Sequence, residues 1–142
     1  MRFRIAGPED YDALLCGALR AYGARIRDLQ GAAQWAVARL SDSQSLVLTG
    51  ADEAPGETVL VASVFPYFYD PSNKEHVVKF IWSHTGRIHM LDAMLGAAVQ
   101  WAISQRAKEH IFNPPPEFPE LGLMAKRNGF TEVAPVYLRR TI

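Results

Sequence analysis

Cysteine is almost missing from this sequence: Cys16 is the only one in 142 residues. A single thiol excludes an intrachain disulfide framework and every cysteine-based zinc-finger spacing. An excess of charge of either sign is missing too. Fifteen Lys and Arg against fifteen Asp and Glu leave a formal net charge of zero, so no global field draws the chain to nucleic acid or to a membrane surface. Apolar runs long enough to span a bilayer are absent, and the opening "MRFRIAGPED" carries no apolar signal core. The expectation is a protein of a reducing compartment, the cytoplasm. The four histidines, His76, His84, His89 and His110, lack the i, i+4 spacing of a helical metal pair, so no metal site is expected. Repeats and low-complexity tracts are missing as well. What is present is the composition of one globular domain over 1–142, 49% hydrophobic and 21% charged.

The chain parses into short elements. "FRIA" (3–6) reads as a strand closed by "GPED", where Pro8 suits the first turn of a helix. Tyr11, Leu14, Leu15, Ala18, Leu19 and Tyr22 then form one helical stripe. A second helix is expected over 28–40, with Leu29, Ala33, Ala36, Val37 and Leu40 inward. "SLVLTG" (45–50) and "ETVLVASVFPYF" (57–68) read as an antiparallel hairpin, "PSN" (71–73) as a turn, and "HVVKFIWS" (76–83) as the next strand. A long helix follows, with Leu91, Met94, Leu95, Ala98, Ala102 and Gln105 on one side and Trp101 flanking. "HIFN" (110–113) is a short strand stopped by prolines 114–116. "PELGLMAKRNGF" (119–130) is a helix that ends on Asn128-Gly129, and "TEVAPVYLRRTI" is a last strand. The order β-α-α-β-β-β-α-β-α-β implies an α/β fold with a mixed, mostly antiparallel sheet and helices on its faces.

Three stretches carry a family likeness: "FRIAGPEDYDALL" at the start, "MLDAMLGAAVQWAISQRA" after the fourth strand, and "MAKRNGFTEVAPVYLRR" near the end. In this order the chain resembles the Gcn5-related N-acetyltransferase (GNAT) superfamily over nearly its whole length. The resemblance implies acetyl transfer from acetyl-CoA to an amine. It implies that fourth-strand backbone at Ile81, Trp82 and Ser83 bonds the pantetheine arm. The loop Gly86, Arg87, Ile88 and His89 would meet the pyrophosphate, and Asn113 matches a polar position near the coenzyme arm. Bare N–H groups at a helix N-terminus suit such an anion.

The sequence departs from the family pattern twice. The family loop reads Arg/Gln-x-x-Gly-x-Gly/Ala, and on 86–91 it places Gly86 at the leading position and His89 and Leu91 at the glycines. Glycine in both places should restore close backbone approach to the coenzyme. The tyrosine that many members use as general acid is matched by Ala125, which donates no proton; Tyr137 lies nearby in sequence without a motif to move the role there. Glu75 falls near where some family bases lie, though a strand-edge charge is the simpler reading. The aromatic run "FPYFYD" (65–70) suits either an acceptor groove or core packing. Cys16 is off the main helical stripe, and Arg139-Arg140 is too small a basic cluster for nucleic acid.

Two functions follow from the resemblance. One is a GNAT-fold protein with an eroded coenzyme loop that serves as a binding or structural component. The other is an acetyl-CoA-dependent N-acetyltransferase. The chain is also similar to GNAT-like internal virion proteins of short-tailed phages, which adds the virion as a setting. If catalysis is gone, the cleft beside the fourth strand is expected to be filled by Trp82 and Phe112, or covered by a protein partner or a second copy through residues 112–120.

Overall fold

The sheet begins at β1 (Phe3–Ile5), which pairs with β2 (Ser45–Gly50); β3 (Thr58–Tyr67), β4 (Asp70–Ser83) and β5 (Ala107–Phe112) follow side by side in chain order. Neighbours are antiparallel except β4 and β5, which run parallel through a crossover. The helices are α1 (Tyr11–Tyr22), α2 (Leu29–Ser41), the crossover helix α3 (Ile88–Ser104) and α4 (Glu120–Arg127). A computed structural model describes residues 2–54, 56–83, 88–114 and 119–133, with side chains at all of these but 80, 82 and 83. The expected last strand falls mostly on 134–142 and so lies, with Pro135, Tyr137, Arg139 and Arg140, outside the described residues.

Alternation along the strands sorts the core into two layers. Leu46, Leu48, Leu60 and Ala62 point to one face and pack against Met94, Leu95 and Ala98 of α3 and Leu121 and Met124 of α4. Val47, Val59 and Val61 point to the other face, beneath Leu14 and Ala18 of α1 and Trp35 and Leu40 of α2. The buried stripe of α3 is the one its sequence spacing predicts. The α4 end also follows the sequence: Gly129 adopts φ +86, and Phe130 N–H bonds the Ala125 carbonyl at 3.0 Å, closing the helix.

Three boundaries differ from the sequence reading. "PSN" is not the hairpin turn. Tyr67 faces Asp70, so Phe68 and Tyr69 turn the chain, and 71–73 form an irregularity inside β4. The Asp70 carboxylate holds that excursion by accepting from Ser72 at 2.6 Å and from Asn73. β5 starts at Ala107 rather than His110, with Lys108, Glu109 and Ile111 exposed and His110 and Phe112 half-buried. On α2 the inward face is rotated: Leu29 and Val37 are about half exposed, and Trp35 turns in instead, because its large ring covers the β2–β3 valines.

Gly17 of α1 is buried where the helix crosses the turn at Gly56, and a Cβ there would overlap the Gly56 carbonyl oxygen. Gly56 itself sits at φ +89, a conformation other residues resist. Gly17→Ala should therefore cost about 1–3 kcal/mol in urea unfolding. An unchanged midpoint would show that α1 slides freely over this turn.

Candidate functional site

The site begins with one extra residue in β4. Val61 faces Phe80 while Ala62 faces Val78, leaving Lys79 as a bulge. The bulge shows in burial as well: Val78 and Ile81, three apart, both point into the α3 face. A regular strand would send them to opposite sides. A bulge also bends its strand and increases its twist. The β4–β5 ladder ends at the same place. Its last three pairs are His76–His110, Val77–Ile111 and Val78–Phe112, after which β5 stops and β4 runs on to Ser83 paired with β3. Past Val78, then, β4 runs on without a β5 partner among the described residues, and this is the edge beside which the sequence reading places the coenzyme.

The residues suggested for the coenzyme distribute around that edge. Ile81 buries its side chain in the core and offers only backbone. Trp82 and Ser83 continue β4 opposite Val59 and Thr58. Ile88 and His89 open α3, with Ile88 packed against the core and His89 exposed. The first N–H groups of a 17-residue helix thus lie just past the end of β4. Asn113 is exposed and directly follows Phe112, where the ladder ends. Gly86 and Arg87 lie outside the described residues. Leu91, matched to a loop glycine, is instead a core residue at 3% exposure, so its side chain does not stand against a ligand at the helix end. Ala125 is buried in α4 and supplies no proton donor. Phe112 packs onto the core and lies 5.9 Å from Phe130, centroid to centroid, so it fills part of the space beside β5. Residues 115–118, the middle of the expected contact segment, lie outside the described residues.

Tyr22 is a member of this site that the sequence did not reveal. It sits on the α1 stripe, where it reads as core, yet its hydroxyl donates to the Ile81 carbonyl at 2.5 Å. Burial raises its pKa, with Arg25 pulling the other way. The donor therefore stays protonated and caps a β4 carbonyl just past the bulge. Nothing in local spacing signals a contact across 59 residues.

Before the bulge, on the face opposite α3, β4 and β5 set Glu75 directly beside Glu109. The Tyr67 hydroxyl donates to Glu109 at 2.7 Å, and that hydrogen bond, ahead of desolvation, pushes its pKa up to about 12. Lys79 lies over the Phe65 ring, 5.9 Å from its centroid. The aromatic run thus forms an exposed flank: Phe65 is 37% exposed, and Tyr67 stacks on Tyr69 at 5.3 Å. On the α3 face the same two strands pair His76 with His110, Nδ1 to Nδ1 at 3.1 Å. Cys16 is exposed, away from these groups. Among the described residues, no three His, Cys, Asp or Glu side chains gather to hold a metal ion. No described helix is long and apolar enough to cross a membrane.

Among the described residues, a five-stranded sheet with a bulged fourth strand and a parallel fifth, covered by helices on both faces, matches the GNAT fold, and solved acetyltransferases superpose along the whole chain. A ribosomal-protein-alanine N-acetyltransferase from Brucella melitensis biovar Abortus 2308 superposes with a TM-score of 0.74 at 13% identity, covering 99% of this chain and 100% of that one. An aminoglycoside antibiotic 6'-N-acetyltransferase from Acinetobacter haemolyticus gives 0.75 at 18%, covering 100% and 99%. A predicted acetyltransferase from Clostridium acetobutylicum, solved with acetyl-CoA, gives 0.78 at 12%, covering 98% and 95%. No family model and no curated protein matches the sequence. At these identities the likeness establishes the fold and nothing finer.

Proposed function

We propose that the protein binds acetyl-CoA in the cleft between β4 and β5 and transfers its acetyl group to an amine. The observation that carries this reading is the coincidence of the Lys79 bulge with the end of the β4–β5 ladder at Val78–Phe112. Ending a ladder leaves backbone groups unpaired, a cost that a ligand with amide groups offsets. In this reading the β4 backbone at Ile81, Trp82 and Ser83 holds the pantetheine arm. Gly86 and Arg87, with the first N–H groups of α3 at Ile88 and His89, hold the pyrophosphate, and Asn113 borders the arm. A phosphate group gains from a helix N-terminus in this way.

The acceptor approaches over the acidic flank. Glu75 and Glu109 favour a cationic amine there, and Glu75 takes a proton from it, directly or through a water. The amine nitrogen then attacks the thioester carbonyl; a C–N bond forms and the C–S bond breaks. With Ala125 in place of a tyrosine, the thiolate leaves without a protein acid and takes its proton from solvent, so turnover is slow. Calorimetry should give an acetyl-CoA dissociation constant of about 100 μM or tighter. Glu75→Gln should slow thiol release with a panel of primary amines by about 100-fold and leave that constant unchanged. No binding at about 1 mM acetyl-CoA would remove the proposal.

One observation favours a second reading. The Tyr22 hydroxyl already satisfies the Ile81 carbonyl, so part of the β4 edge is closed from within. On that reading the cleft is a relic and the protein is a binding or structural component, in the cytoplasm or in a phage virion, meeting a partner or a second copy through residues 112–120. Tyr22→Phe separates the two. It should tighten acetyl-CoA binding if the tyrosine competes for the edge, and do nothing if no coenzyme enters.

A further inference from the structure

Between α1, α2 and the β2–β3 face lies a cavity of about 220 Å3, away from the acidic flank and on the side of the sheet opposite α3. Its walls include Leu14, Ala18, Ala36, Leu40, Val47 and Val61, and they are almost wholly apolar. An engineered apolar cavity of about 150 Å3 stays dry and takes up benzene, so this one has room for a hydrocarbon of about eight carbons. The wall carries one charged group, Arg39. Its guanidinium rests 5.6 Å from the Trp35 ring centroid, and its Nε–H is buried with no acceptor among the described residues. The nearest carboxylate, Asp42, is 4.0 Å from Nη1 and is engaged by the Gln44 N–H at 2.9 Å and the Ser45 hydroxyl at 3.0 Å. The guanidinium is part-exposed and pairs with Asp42 through Nη1, but a buried N–H without an acceptor is costly, and an anion that reaches Nε recovers a charge-assisted contact.

We infer that this cavity binds a medium-chain monocarboxylate, with the hydrocarbon tail among the α1, α2 and sheet side chains and the carboxylate on Arg39. The charge selects the occupant. An alkylamine of the same length would bring its ammonium beside a guanidinium, and an alcohol would offer Arg39 only a neutral acceptor. The cavity shares Tyr22 with the β4 edge but needs no coenzyme, so it stands whether or not acetyl-CoA binds.

Calorimetric titration of the whole chain with octanoate, octanol and octylamine tests the assignment. Octanoate should bind with octanol at least about tenfold weaker, the share of a charge-assisted contact, and octylamine should give no heat. Arg39→Gln should weaken octanoate by about 10- to 100-fold and leave octanol unchanged. Ala36→Leu, which fills the cavity, should abolish octanoate binding; Ala18→Leu serves if that variant does not fold, circular dichroism reporting on both. Equal binding of octanoate and octanol, or an unaffected Arg39→Gln, would reduce the site to a packing void. An absence of octanoate binding at about 1 mM would remove it altogether.

Discussion

Leu91→Gly should destabilise the protein by about 3–6 kcal/mol, enough to unfold a domain of ordinary stability, while His89→Gly in the same helical turn should cost about 1 kcal/mol. The two positions look equivalent in the sequence, each standing where the family loop has glycine. In the fold they are opposite. Leu91 is 3% exposed among Met90, Met94 and Leu95, in the layer between α3 and the sheet, whereas His89 faces solvent. Removing Leu91 combines a large core cavity with the backbone freedom of glycine; removing His89 costs helix propensity alone. Urea unfolding of both variants reads the difference directly. Similar small losses in the two would place Leu91 outside the core and return it to the coenzyme loop. The consequence for function is that the loop is less obstructed than its sequence implies, because one of the two non-glycine residues turns inward.

This contrast marks where the sequence was legible. The α3 stripe comes from hydrophobic periodicity, and β2 and β3 from short continuous apolar runs; α3 buries one face, whereas both faces of β2 and β3 are covered. On α2 periodicity failed. Alanine contributes little to a burial preference, so Trp35 decided the face against the Leu29–Val37 stripe. The "PSN" segment misled for another reason. Turn residues mark any local reversal, and here Asp70 uses them to hold an irregularity inside a strand. The parallel β4–β5 junction that ends at Val78 and Phe112 was foreseen from the element order, a place where such sheets bind ligands. Its detail was not. The Lys79 bulge and the Tyr22–Ile81 contact depend on which strands pair in which register, and no local pattern encodes that. The loop residues Gly86 and Arg87 rest on resemblance alone.

The histidine pair was likewise invisible, because His76 and His110 meet only through the parallel β4–β5 register. It yields the second large effect, on pH. His76 is fully buried, its ring edge-on to Trp101 at 6.4 Å, with Val64 opposite on β3 and Ala102 and Ala107 close by. These neighbours offer no negative charge to an imidazolium. With Nδ1 atoms 3.1 Å apart, one ring donates and the other accepts. Among the described residues His76 Nε2 has no partner, and a bare lone pair there is less costly than an orphaned N–H, which makes His76 the Nδ1–H donor. Protonating it would create that buried N–H together with a charge facing a second histidine. Desolvation first, then His110, pulls the His76 pKa down from 6.5 to about 4, and burial lowers that of His110 as well. The unfolded chain therefore binds the proton more readily than the folded one. The stabilisation from the neutral pair is complete above about pH 6.5 and is lost as the pH falls towards 4, His76 alone contributing about 3 kcal/mol. Asp10, Asp42 and Asp70, all lowered from 3.8, give up their contributions only below this window. Chemical denaturation between pH 4 and 7 should show the slope, and His76→Leu should flatten it with stability at pH 7 changed by less than about 1.5 kcal/mol, since half-buried His110 can turn to water. A slope that survives in His76→Leu would assign the pH dependence to other groups and leave His76 as no more than a packed ring.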